Sequence, residues 1–108
     1  MGSTDGLGAF EHLVLLAVLQ LREDARALDV RRLLEAEAER PVSRGALYAT
    51  LERLEGKGFL DWATEEATPD RGGIPRRVYR LTDGGLGALR HSHRVLDRLS
   101  AGLNEALG

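Results

Sequence analysis

Apolar residues recur along this chain with two different periods, and the switch between them sets out the elements. From Phe10 to Leu21 only Glu11, His12 and Gln20 are polar, and no breaker interrupts the run. That length favours a helix over a strand at 10–21. A surface helix normally carries one apolar stripe, but this one is apolar on nearly every face. A domain this small has little interior to cover it, so a second chain is expected on its outer side.

Residues 28–39 place Leu28, Leu33, Leu34 and Ala38 among charges, an amphipathic helix that must end before Pro41. Ser43 is positioned to cap a third helix. There Leu47, Leu51 and Leu54 form one stripe, with Gly45, Tyr48, Ala49 and Glu52 opposite and Ala46 and Arg53 flanking. Gly56 and Gly58 supply the stop. Two helices joined by the tight turn at 40–43 form a helix-turn-helix unit. The period then drops to two. Residues 59–64 and 76–81 read as paired strands, with Tyr79 and Leu81 inward and Arg76 and Arg80 outward. The Gly/Pro-rich segment 65–75 between them is the wing of a winged helix.

Thr82 and Asp83 open the last helix with a cap and an acid that its dipole favours. Gly84, Gly85 and Gly87 weaken its first turn. Beyond them Leu86, Leu89, His93, Leu96, Ser100, Leu103 and Leu107 recur at alternating spacings of three and four, a heptad-like seam. A continuous helix over 83–107 would be about 37 Å long, too long to pack fully on so small a body. The seam therefore predicts a partner helix. Leu13 and Leu16 of the first helix, with Leu89, His93, Leu96 and Leu103, are the candidate dimerisation residues. The predicted architecture is mainly α with a small β-hairpin (α+β). It comprises a flexible leader at 1–8, a winged helix-turn-helix over 9–82 and a dimerisation helix over 83–108.

Charge sharpens this picture. The net charge of −2 argues against a wholly basic binder of nucleic acid. Its distribution is uneven, with +2 over 40–58 and +3 over 69–80, so the rest of the chain carries −7. A basic face on an acidic body can orient the molecule on DNA. The same charges could instead only solvate a surface. There are no cysteines, hence no disulfide framework and no thiolate metal site, which fits a reducing cytoplasm. No apolar run reaches the length of a membrane span. No nucleophile–base pair, metal-ligand cluster or phosphate-cradling loop appears, so neither an enzyme nor a cofactor is expected. His91 and His93, two apart on a helix, cannot both face one ion. His93 and His12 are expected as buried, satisfied polar groups.

Several strings bear a joint resemblance. Phe10-Glu11-His12-Leu13-Val14-Leu15-Leu16 begins the first helical run, and Gly45-Ala46-Leu47-Tyr48-Ala49-Thr50-Leu51-Glu52-Arg53-Leu54-Glu55 precedes Lys57-Gly58. Arg71-Gly72-Gly73 and Tyr79-Arg80-Leu81-Thr82 follow. Together they resemble the PadR family of winged-helix transcription regulators over nearly the whole chain, in its short-tailed subgroup. The resemblance implies a homodimer, with the C-terminal helix of one subunit on the N-terminal helix of the other. It also implies a repressor, often of detoxification or transporter genes, sometimes released by a small aromatic or lipophilic effector. Two positions depart from the pattern. Arg26 and Ala27 replace a Tyr-Gly pair, and Ile74 stands where a basic residue often follows the wing glycines.

The candidate DNA-binding residues are Ser43, Arg44, Gly45, Tyr48, Ala49 and Arg53 on the third helix, with Arg71, Arg76 and Arg77 on the hairpin. Arg44 sits where a base or phosphate contact is natural. Tyr48 could donate to a phosphate or pack on the wing. Arg53 could reach phosphate or pair with Glu52 or Glu55. Trp62 could line an effector pocket or pack at the base of the wing. The expected partners are duplex DNA, a second copy of the chain and a small effector, with no membrane. A protein-binding winged helix and a small-molecule-binding dimer are the competing readings.

Overall fold

The computed structural model describes residues 6–66 and 75–108. The chain runs α1 (Ala9–Leu21), a 3-10 turn (Arg22–Asp24), α2 (Ala27–Ala38), α3 (Arg44–Gly56), β1 (Leu60–Glu65), β2 (Arg76–Leu81), α4 (Asp83–Ser100) and α5 (Asn104–Leu107). The two strands form one antiparallel hairpin, with Leu60 opposite Leu81 and Glu65 opposite Arg76. The architecture is a winged helix-turn-helix followed by a projecting helix. Arg71 and Ile74 lie outside the described residues.

The core gathers one face of each element. Val14, Leu15 and Val18 of α1 meet Val30 and Leu34 of α2, Leu47, Leu51 and Leu54 of α3, and Leu60 and Tyr79 of the hairpin. The α3 stripe is thus buried as its spacing predicts. In α2 the buried pair is Val30 and Leu34, whereas Leu28 is exposed, a correction to the predicted stripe. Two i,i+4 stripes share that helix, and only its contact with α1 and α3 selects between them. The turn into α3 is held by side chains. The Arg31 Nε donates to the Val42 carbonyl (2.8 Å), and the Glu35 carboxylate accepts from the Val42 N–H (3.0 Å).

α3 stops as its glycines predict. Phe59 N–H bonds the Leu54 carbonyl (2.9 Å) and Gly58 N–H bonds that of Glu55 (3.0 Å), the double closure of a Schellman turn. Thr82 then joins α4 to this turn. Its hydroxyl donates to the Gly58 carbonyl (2.6 Å) and accepts from the Gly85 N–H (3.0 Å).

The C-terminal segment differs from expectation. It is not one helix over 83–107. α4 ends at Ser100, and Gly102 takes a left-handed φ of 78°, after which α5 starts anew. A glycine adopts that conformation at little cost. Gly6 and Gly8, within the expected leader, are tied to the body: the Lys57 ammonium bonds the Gly6 carbonyl (3.0 Å) and Glu11 accepts from the Gly8 N–H (2.8 Å). α4 still projects. The radius of gyration is 15.4 Å, against about 13 Å for a compact chain of this length.

Candidate nucleic-acid interface

Ser43 caps α3 by accepting from the Ala46 N–H at 3.0 Å. That cap sets the first turn, so Arg44, Gly45, Tyr48 and Ala49 all stand exposed, opposite the buried leucines. The Arg44 guanidinium lies 6.0 Å from the Tyr48 ring centroid. Across an open cleft stands the start of β2. Arg44, Tyr48, Pro75, Arg76 and Arg77 line that cleft together. Ser43, Arg44, Gly45, Tyr48 and Ala49 are thus grouped at the start of α3, and of these Arg44 and Tyr48 share the cleft with Arg76 and Arg77. Tyr48 lines the cleft shared with the hairpin.

Ion pairing separates the cations. Arg80 is held by Asp61 at 2.6 Å. The Arg26 Nε donates to Glu65 at 2.9 Å, and the same guanidinium bonds Asp29 at 3.3 Å. Arg26, which departs from the family's aromatic–glycine pair, thus ties the N-terminus of α2 to the hairpin. Arg44, Arg76 and Arg77 make no ion pair with any described residue.

Arg53 does not stand with this group. Its predicted partners were phosphate, Glu52 or Glu55, but its Nε donates to Glu11 of α1 at 3.0 Å. Lys57 bonds the same carboxylate at 2.9 Å. Glu11 is only 3 % exposed. Its burial raises its pKa, but the Gly8 N–H, Lys57 and Arg53 donate to the ionised form and hold the group below the usual carboxylate range. Glu11 was not singled out in the sequence. The available signal was one acid in an apolar helix and two cations four apart on another.

An acid with a depressed folded-state pKa stabilises the fold above its unfolded-state pKa, ~4.3. That contribution fades as the pH falls through the lower folded-state value. Glu11→Gln should cost about 1–3 kcal/mol at neutral pH, less where the half-exposed Arg53 finds water instead. Its denaturation midpoint should also depend less on pH below ~4.3 than that of the native chain. Urea unfolding at stepped pH measures both.

The candidate dimer residues divide. Leu13 and Leu16 are exposed along α1 with Leu19, and Leu96 and Leu103 are exposed with Leu99 and Leu107. Leu89 is 4 % exposed within its own chain, so it has little area to offer a partner. Its position near the start of α4 puts it over the core rather than on the projecting part. His93 is exposed in the single chain, 3.6 Å from Asp97. His12 is buried as expected, with Nδ1 2.7 Å from the Ser92 hydroxyl of α4. Burial, and then the nearby His93, lowers its pKa. Trp62 packs at the base of the wing, where its Nε1–H donates to Glu55 at 3.0 Å.

A capped helix packed against a two-stranded hairpin, with arginines on both sides of the cleft between them, is the arrangement of a winged-helix protein. The chain belongs to the PadR-like family of transcriptional regulators, whose model matches residues 15–91. The family consists of regulators, not enzymes. A transcriptional regulator of Mycobacterium tuberculosis is 45 % identical over 67 residues, which cover 62 % of this chain and 56 % of that protein. The chain thus spans little more than half the length of that curated relative. A PadR family regulator from Eggerthella lenta is 34 % identical in a structural match of TM-score 0.67, covering 88 % of this chain and 80 % of that one. The Bacillus subtilis PadR–operator DNA complex shares the fold, with TM-score 0.62, 18 % identity and coverage of 78 % and 47 %. No helix among the described residues is long and apolar enough to cross a membrane.

Proposed function

We propose that this chain is a cytoplasmic, homodimeric repressor that grips an inverted-repeat operator through α3 and the hairpin. The observation that carries the reading is the grouping of Arg44, Arg76 and Arg77 around one cleft without a carboxylate partner among the described residues. The operator complex of the Bacillus subtilis relative supports duplex DNA as the ligand. Residues 9–82 form the DNA-binding unit and 83–108 the dimerisation segment. Genes for transporters or detoxification, and release by a small aromatic or lipophilic effector, follow from the family resemblance alone.

The dimer reading rests on exposed leucines. Leu13, Leu16 and Leu19 on α1 and Leu96, Leu99 and Leu103 beyond the body leave large apolar side chains in water. A two-fold axis lets each stripe meet the other chain. Two copies of α3 then face successive major grooves, so half-site centres lie about one helical turn, ~10 base pairs, apart. With Arg53 held by Glu11, Arg44 is the only forked donor on the exposed first turns of α3. Direct base reading is therefore sparse, and DNA shape supplies part of the specificity.

Selection from random duplexes tests the reading, with sedimentation of the protein alone. A palindromic consensus and a dimer at micromolar concentration are expected. Leu96→Asp should shift the dimer to monomer, because a carboxylate in an apolar contact lacks a partner. A native chain that stays monomeric, or a selection without a palindrome, refutes the symmetric reading.

A further inference from the structure

We propose that Trp62 is a positioning residue for DNA binding, holding Arg77 ready for the phosphate backbone. The inference rests on the DNA-binding reading and deepens it. Trp62 pairs across the hairpin with Tyr79. Arg77 lies two residues before Tyr79 and so shares its face, diagonal to Trp62. The Arg77 guanidinium carbon sits 4.0 Å from the Trp62 ring centroid, well within the ~6 Å range of a cation–π contact. The ring itself is held from α3, since its Nε1–H donates to the Glu55 carboxylate. A chain of contacts thus runs from the last turn of α3 through the indole to the wing arginine.

The nature of this contact matters. A carboxylate partner would occupy the in-plane N–H donors of a guanidinium and cancel its charge. That is the state of Arg80 beside Asp61 and of Arg26 beside Glu65. An aromatic face does neither. Stacking restrains the plane of Arg77 and leaves its charge and its forked edge available for a bidentate bond to phosphate. Arg77 is exposed and lines the cleft with Arg44, Tyr48 and Arg76. The ring therefore removes rotamer freedom from Arg77 before DNA arrives, which tightens binding without adding a contact to DNA.

The test is a double-mutant cycle on the full chain, titrated with a fluorescent mixed-sequence duplex at stepped salt. Trp62→Leu should weaken binding about 2- to 5-fold per subunit, and so about 5- to 30-fold for the proposed dimer, the range expected of exposed cation–π contacts. The salt slope should stay unchanged, because Arg77 still reaches its phosphate. Trp62→Phe, which keeps a ring face, should bind within about 2-fold of the native chain. In an Arg77→Ala background, Trp62→Leu should cause no further loss. Arg77→Lys leaves the core untouched and keeps the charge while losing the flat stack. It should weaken binding by a similar factor at constant slope. The inference is overturned if Arg77→Lys binds as the native chain does, or if Trp62→Leu costs the same with and without Arg77. Intact binding with additive losses overturns this inference alone. A native chain with no salt-dependent duplex binding overturns the DNA-binding reading and this inference with it.

Discussion

Gly85→Ala should destabilise the protein by about 3 kcal/mol or more and abolish cooperative unfolding at moderate temperature. A Cβ built on Gly85 would lie 2.0 Å from the Phe59 carbonyl oxygen and 2.9 Å from its carbon. Both are backbone atoms, so no side chain can swing aside. Phe59 is itself fixed by its N–H bond to Leu54, and its carbonyl accepts from Thr82 N–H at 3.1 Å. Relief requires lifting the start of α4 off the α3–β1 turn, which would break the Thr82 bonds to Gly58 and Gly85. The neighbouring glycines behave oppositely. A Cβ on Gly84 would meet its nearest atom, the Gly58 carbonyl oxygen, at 3.5 Å, and one on Gly87 would meet nothing within 4 Å. Gly84→Ala and Gly87→Ala should each be neutral or stabilise by up to about 1 kcal/mol, through higher helix propensity. Thermal melts of the three variants measure this. Equal effects at 84, 85 and 87 would refute the close approach.

Replacing Arg76 and Arg77 together by alanine should weaken duplex binding roughly a hundredfold at low salt. In the proposed dimer the pair supplies four phosphate contacts. The slope of log affinity against log salt should therefore fall by about four units. Sequence preference should change little, because phosphate contacts carry no base information. Arg44→Ala should do the reverse. It should flatten preference at its base position, by about 1–3 kcal/mol if it is bidentate to guanine, and lower the slope by at most about one unit per subunit. Arg53→Ala provides the contrast. Its guanidinium is committed to Glu11 and Thr50, so the loss should appear in stability and leave the salt slope nearly unchanged. Fluorescence anisotropy over a salt series distinguishes these outcomes. If Arg76 and Arg77 can both be removed without changing the slope, the hairpin does not touch the backbone.

The sequence by itself determined the elements and their order up to the start of α4, because these depend on local chemistry; the break of the last helix at Gly102 it did not show. The leucine stripe at 47, 51 and 54, the cap at Ser43, the stop at Gly58 and the alternation in Arg76–Leu81 are each readable within a few residues. The exposed first turn of α3 follows from the same stripe. Tertiary structure decided whatever depends on residues far apart. Glu11 lies 42 residues from Arg53, so no local pattern could show that Arg53 is tied to α1 rather than free for phosphate. Arg76, Arg77 and Arg80 look alike in sequence, yet Asp61 lies across the hairpin from Arg80 and neutralises it, while Trp62 stacks on Arg77 and leaves its charge intact. Gly84, Gly85 and Gly87 all read as weak helix formers, and only the approach of Phe59 makes one of them indispensable. Leu89 and Leu96 lie on the same seam, and only the length of the body beneath α4 buries one and leaves the other in water. Backbone preference and capping are encoded residue by residue, whereas charge cancellation and close packing are properties of pairs that only the fold brings together.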